Sequence, residues 1–326
     1  MTTATQIDTD LGDADLELFW LTPQAATLRQ ARAQGRFPHA LLIQDLPGAG
    51  GTQLALLAAR TLLCTGESPP CGRCRNCQRV VAQAHPDLWF VSPEEDSKQI
   101  KVDQIRALNE TLALTGHGSA ASVAIINPAE ALNANAANAL LKTLEEPRPG
   151  VLIVLVTVTA ARLPATVLSR CQRLRIQPPT RAECVTWLRG RRGEGNWAAV
   201  LEVLGNAPLK ALSVDPEEIL ALRDETQAQL EGALAGTIDI PPVAERWAKA
   251  DGFDLRLICA ENWVTRHLTE LHTGAHLPAT NSSMNIRSLI RLMDALHELR
   301  RLAATTINKA LAVEQLLWQL RAARQV

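Results

Sequence analysis

Three groups of residues in this chain have the types and spacing to do chemistry. The first is a glycine-rich loop, Asp45-Leu46-Pro47-Gly48-Ala49-Gly50-Gly51-Thr52. It sits between a short apolar run at 39–44 and an Ala/Leu-rich stretch at 52–63, where a strand would hand over to a helix. Backbone N–H groups at such a junction, with the helix N-terminus behind them, cradle phosphate oxygens. The pattern for nucleoside triphosphates is G-x-x-x-x-G-K-[ST]. Gly50 and Thr52 fit it, with Gly48 as an extra loop glycine, but the first glycine is Asp45 and the lysine is Gly51. Asp45 adds negative charge where phosphates would sit. Without the lysine, the point charge that tracks the γ-phosphate is gone, and the first lysine in the chain is Lys98. The loop reads as a former nucleotide site that no longer hydrolyses; a ligand-free strand-to-helix turn is the plainer alternative.

A second strand tests this reading. In ATPases built this way an Asp ends an apolar strand and holds Mg²⁺, with a Glu beside it as base. Here the run at 123–126 is followed by Asn127-Pro128. Two separate catalytic elements are therefore degraded together.

The second group is Cys64-x6-Cys71-x2-Cys74-x2-Cys77. Four soft thiolates at short spacing suit a tetrahedral Zn²⁺. With four protein ligands and no open position, such a site is structural. A Cys-x-x-Cys redox pair or an iron–sulfur cluster accounts less simply for all four. Cys171, Cys184 and Cys259 read as ordinary buried thiols. The third group is Ser169-Arg170-Cys171, which places an arginine after a helix at a domain edge; on its own, Arg170 would be a surface arginine.

The elements that must position these groups follow from the apolar pattern. Strands are expected at 39–44, 87–91, 122–126, 151–158 and 174–176. Helices are expected at 22–33 (Thr22 as N-cap and Pro23 at N1), 52–63, 102–114 and 133–146. Strands alternating with helices make a parallel sheet covered on both faces. The alternation ends at Gln177-Pro178-Pro179. Beyond it the pattern is helical, with a capping box at 180–183 and about five helical stretches from 215 onward, the last at 307–324. The expected organisation is a loose acidic lead-in (1–18), an α/β domain (19–177) with the cysteine insert at 64–77, a small helical domain (178–213) and a helical C-terminal domain (214–326).

Composition excludes several function classes. Lys and Arg number 33 against 34 Asp and Glu, so binding to nucleic acid mainly by phosphate neutralisation is not expected. Hydrophobic residues make up 47% and aromatics 3%, with no Tyr, so the core must be aliphatic. An odd count of seven cysteines argues against a disulfide framework. No run of apolar residues is long enough to span a membrane. The first twenty residues lack the basic n-region of a secretory signal, so a cytoplasmic protein is expected.

Taken together, FPHALLIQ (37–44), LPGAGG (46–51), the four cysteines, IKVDQIRAL (100–108), NALLKTLEEP (138–147) and ATVLSRC (165–171) resemble the AAA+ clamp-loader subunits of bacterial DNA polymerase III, most of all the delta prime family. The likeness is close over 19–177 and weaker over 178–326. It implies an AAA+ fold with a lid domain and a C-terminal collar that holds a five-subunit ring together. The implied partners are the gamma/tau and delta subunits and, in the assembled loader, the sliding clamp and primed DNA. It implies no ATP hydrolysis by the chain itself, although the chain would be a component of the polymerase holoenzyme. On this resemblance Arg170 is presented to the ATP of the neighbouring gamma/tau subunit as an arginine finger in trans. Val158 lies near the position where active relatives carry a phosphate-sensing polar residue, with Thr157 and Thr159 on either side. An active motor subunit of the gamma/tau type would carry Lys at 51 and Asp-Glu at 127–128. A stand-alone zinc module for nucleic acid would show a basic, aromatic-studded face. Neither matches, although Arg73, Arg75 and Arg79 make the cysteine loop locally basic.

Overall fold

The structure, a computed structural model, describes residues 18–95, 97–113, 121–249, 252–273, 285–303 and 307–323. It divides into two compact units, Met1–Thr180 and Arg181–Val326.

The first unit opens with a 3-10 turn, Phe19–Leu21, and helix α1 (Thr22–Ala33). Thr22 is the first helical residue rather than the cap: Leu21 takes that place and makes no side-chain cap. The preceding turn already carries the chain into the helix, so no capping hydroxyl is called for. Then follow β1 (Ala40–Gln44), α2 (Gly51–Leu63), α3 (Arg75–Val81), β2 (Leu88–Val91), α4 (Val102–Ala113), β3 (Ser122–Ile126), α5 (Ala134–Glu145), β4 (Val151–Thr157), α6 (Ala165–Leu168) and β5 (Gln172–Arg175). The five strands form one parallel sheet in the order β2-β3-β4-β1-β5. β1, β3 and β4 are apolar on both faces and lie inside the sheet, while β5 buries only Leu174 and forms an edge. This fifth strand begins two residues earlier than its apolar pattern predicts, because pairing with β1 (Leu41 opposite Gln172) sets its start.

On one face, Ala40, Leu42, Ala124, Ile126, Ile153 and Leu155 pack with Ile105 and Leu108 of α4 and Leu140 and Leu144 of α5. Helix α2, whose Leu54, Ala55, Ala58 and Ala59 are buried, packs against β1, β3 and β4. α5 begins where its sequence says it should: Asn133 Oδ1 accepts the Ala136 N–H at 2.8 Å. Of the acidic lead-in, only Leu18 falls within the described residues, and it is buried. The predicted ends at 114 and 324 also lie outside them.

The second unit is helical throughout its described residues: α7 (Arg181–Arg192), α8 (Trp197–Val203), α9 (Pro208–Ser213), α10 (Pro216–Ala235), α11 (Ile240–Lys249), α12 (Phe253–Thr273), α13 (Ile286–Leu302) and α14 (Lys309–Ala322). Asn196, Asp215, Asn285 and Asn308 cap four of these helices. One apolar cluster joins α7–α9 with Ile219 and Cys259; a second joins α10–α14 around Trp247 and Trp263. Trp247 buries its ring and donates Nε1–H to Gln229 at 2.6 Å. Among the described residues no helix is long and apolar enough to cross a membrane.

Candidate functional site

β1 delivers the chain to the glycine loop at the C-terminal edge of the sheet, where ligands of open parallel sheets bind. The Asp45 N–H is held by Thr157 O at 2.9 Å. Gly48 and Gly50 take φ of 73° and 103°, conformations that suit glycine, and Gly50 caps α2. From the other side Trp20 Nε1 donates to Ala49 O at 2.7 Å. Leu18 and Leu21 close over Gly50, so that a Cβ there would lie 2.9 Å from Leu18 Cδ1.

The Asp45 side chain folds back into this loop. Its Oδ1 accepts the Leu46 N–H at 2.8 Å, and the carboxylate also accepts the N–H of Gly51, the first residue of α2. A Cβ on Gly51 would lie 2.5 Å from Asp45 Oδ2 and 2.6 Å from Cγ. The acid at the first loop position therefore occupies the space a lysine at 51 would need, and the two departures from the phosphate-loop pattern are one steric change. Burial pushes the Asp45 carboxyl up to about 6; the N–H groups of Gly51 and Leu46 oppose this, and the Glu130 charge adds to it. The chain's own carboxylate sits at the helix N-terminus, whose N–H groups offset part of the cost of burying the charge without cancelling it.

Beside it, Asn127 Nδ2 donates to Thr52 Oγ1 at 3.1 Å. In a magnesium site both positions would turn oxygens toward the ion; here they bond to each other. Glu130 Oε1 accepts the Val158 N–H at 3.3 Å, and its Oε2 is buried without a hydrogen-bond partner. Val158 is 50% exposed just past the end of β4, whereas Thr157 is buried and accepts the Thr159 N–H. Of the three, Thr157 is the residue that meets the loop, through its carbonyl oxygen.

The cysteines lie at the opposite end of the same helix. Cys64 is the C-cap of α2, and Cys74 caps α3, accepting the Cys77 N–H. Sequence periodicity does not reveal this seven-residue helix. Asn76 ties it to α2 through Leu63 O at 2.9 Å. All four sulfurs lie within 4.8 Å of one another, with 3.9 Å between Cys64 and Cys74, and could hold a metal ion. Tetrahedral Zn–S bonds of about 2.3 Å place sulfurs about 3.8 Å apart, so the donor set fits. N–H groups of Gly66 and Cys71 point at Cys64 Sγ, that of Cys74 at Cys71 Sγ, and that of Cys77 at Cys74 Sγ, an arrangement that favours thiolates. The Cys74 N–H draws the Cys71 thiol down. At Cys74 burial is the largest single influence and acts upward, yet the groups of Cys77 and Thr65 together bring it to about 5. Cys77 goes the other way: burial, and then its neighbouring thiols, push it up to about 12, and burial pushes Cys171, Cys184 and Cys259 up to about 11.

Arg170 follows the short α6 and precedes β5. Its Nη1 donates to Thr166 O at 2.8 Å and to Ser169 Oγ at 3.3 Å. Its Nη2 meets Glu145 Oε1, at the end of α5, at 2.5 Å. These partners belong to α5, to α6 and to the turn that closes α6, not to the glycine loop. Nothing in the residue pattern points to Glu145 as their member; only the fold brings it there.

The chain is similar over much of its length to proteins of known name. It is 34% identical to the DNA polymerase III subunit delta' of Pseudomonas aeruginosa over 229 residues, 69% of this chain and 70% of that one. The chain belongs to the DNA polymerase III subunit delta' family. Within that family, the E. coli K12 protein is 40% identical over 52% of this chain and about half of its own length, 51%. The family described as "DNA polymerase III, delta subunit" matches residues 21–180, the part of this delta' chain that holds all three residue groups. A DNA polymerase III gamma subunit-related protein from Thermotoga maritima shares the fold at a TM-score of 0.54. It is 19% identical and covers 92% of this chain and 99% of its own.

Proposed function

We propose that this delta' chain is the non-hydrolysing subunit of a clamp loader that places the sliding clamp on primed DNA, and that it acts on ATP only in trans. The observation that carries this reading is the Asp45 carboxylate, bonded to the N–H groups of Leu46 and Gly51 in the space of the missing lysine side chain. A triphosphate entering this loop meets a like charge, finds its N–H donors in use, and finds Thr52 and Asn127 bonded to each other instead of open to Mg²⁺. Gly48, Gly50, Gly51 and Thr52 keep the shape of a nucleotide loop without its function.

Arg170 carries the remaining chemistry. A guanidinium in a Ser-Arg-Cys turn just before β5 would reach the γ-phosphate held by a neighbouring gamma/tau subunit and stabilise charge there as the bond breaks. The lid (178–213) and collar (214–326) would join the chain to the gamma/tau and delta subunits; contact with clamp and DNA would come through that assembly in the cytoplasm. Cys64, Cys71, Cys74 and Cys77 would hold one Zn²⁺, which supplies a closed four-thiolate cross-link and no reactive position.

ATPase of the mixed loader subunits, measured with and without this chain, tests the reading. The chain alone is expected to show no turnover and the mixture to gain it. Turnover by the purified chain, or a mixture indifferent to its presence, would refute the proposal.

A further inference from the structure

The Arg170 guanidinium is fixed from two sides. Thr166 O and Ser169 Oγ hold Nη1 from its own turn, and the Glu145 carboxylate holds Nη2 from another element. Glu145 is a firm anchor. It is the last residue of α5, a helix capped at its start by Asn133 and packed into the sheet by Ala136, Ala137, Leu140 and Leu144. Leu144, the residue before it, is 2% exposed. A carboxylate at a helix C-terminus is disfavoured by the helix dipole, so a nearby cation is its natural partner. Of the five N–H donors of an arginine, those on Nη1 and Nη2 that face the chain are used, and the rest of the fork stays available. The pair is still partly open to solvent, with Arg170 at 34% and Glu145 at 48%, so an incoming anion can reach the guanidinium without displacing the anchor.

We infer that Glu145 is a positioning residue for Arg170. It orients the guanidinium before a neighbouring subunit docks, so that little side-chain freedom is lost when the arginine meets phosphate. The NALLKTLEEP segment thereby gains a role for its first Glu. The inference rests on the reading of Arg170 as an arginine finger.

The test compares reconstituted loaders carrying wild-type chain, Glu145→Gln, Glu145→Asp and Arg170→Ala, with ATPase read as kcat and KM for ATP and assembly read by gel filtration. Arg170→Ala is expected to remove most of the stimulation. Glu145→Gln is expected to lower kcat roughly 3- to 10-fold at unchanged KM and unchanged assembly, with Glu145→Asp recovering part of the loss because it keeps the charge. Arginine side-chain NMR of the free chain provides a readout independent of assembly: rotation about the Arg170 Nε–Cζ bond should be hindered in the wild type and freed in Glu145→Gln. A Glu145→Gln loader at the wild-type rate or faster, beside a defective Arg170→Ala, would overturn the positioning role alone. A fully active Arg170→Ala loader would overturn the finger reading and this inference with it.

Discussion

Asp45→Asn is expected to stabilise the protein, and only above a definite pH. The carboxyl is raised from its usual 3.8 to about 6, first of all by burial. Between these values the native chain binds the proton more tightly than the unfolded chain does. Stability therefore falls as pH rises through that window and stays reduced above it. At 1.36 kcal/mol per tenfold change in proton affinity, the charged Asp45 costs the fold up to about 3 kcal/mol near pH 7.5. An asparagine keeps the carbonyl oxygen that accepts from Leu46 but turns an amide toward the Gly51 N–H, so a net gain of about 1–3 kcal/mol is expected. For a unit of this size that is about 2–12 °C in Tm. The assay is a thermal melt of wild type and variant from pH 4 to pH 8. Comparing the two chains at each pH cancels the titration of the cysteines. The Tm difference should be smallest at pH 4 and open between about pH 3.8 and 6, reaching its full size above that window. Equal melting temperatures at pH 8, or a gain that persists unchanged at pH 4, would refute the claim that a half-buried charge fills the loop.

Gly51→Lys should not restore ATP binding, because its Cβ would meet Asp45 Oδ2 at 2.5 Å. The variant should lose about 1–3 kcal/mol of stability, as read by melting and by titration with a fluorescent ATP analogue. Arg170→Ala should leave the melting temperature within about 1 °C, since a largely exposed ion pair contributes little, while lowering turnover at the adjoining ATP site of the assembled loader by about 10²-fold or more. Metal analysis of the purified chain should give about one zinc per chain. Cys74→Ser should lower that content and make the chain more sensitive to chelators, and a metal-free native chain would remove the site.

The sheet was legible in the sequence because its inner strands are apolar on both faces: the segment 151–157 could hardly be anything but a central parallel strand. Asn133 and Pro147 bracketed α5 for an equally local reason. The cysteine spacing likewise announced a metal-ligand set, which the fold gathers within 4.8 Å. The sequence was silent where meaning depends on contacts between distant segments. Asp45 and Gly51 could be read as two separate losses, but not as one atom taking another's space. Asn127 and Thr52 are 75 positions apart, and no periodicity links them. α3 was missed because a seven-residue helix that opens inside the cysteine cluster, with Cys74 as its cap and Cys77 in its first turn, carries too little pattern, and Thr22 was misread because a 3-10 turn, not a hydroxyl, leads into α1.

The loop also bears on how an inactive site is kept. Deleting ligand-binding groups from a buried edge leaves polar atoms without partners, which is costly. In this chain the contacts expected of a nucleotide and its ion are replaced by internal ones. A carboxylate takes the helix N-terminus where a phosphate would lie. An amide-to-hydroxyl bond takes the place of magnesium. Glu130 Oε1 accepts the Val158 N–H, while its Oε2 stays buried without a partner. These bonds, with Trp20 clamping Ala49 from outside, tie the loop into β1, β3 and β4 in a single arrangement that does not wait for a ligand. Restoring nucleotide binding would therefore require dismantling several contacts at once. A single reversion at Gly51 adds a charge to a seat that is already taken.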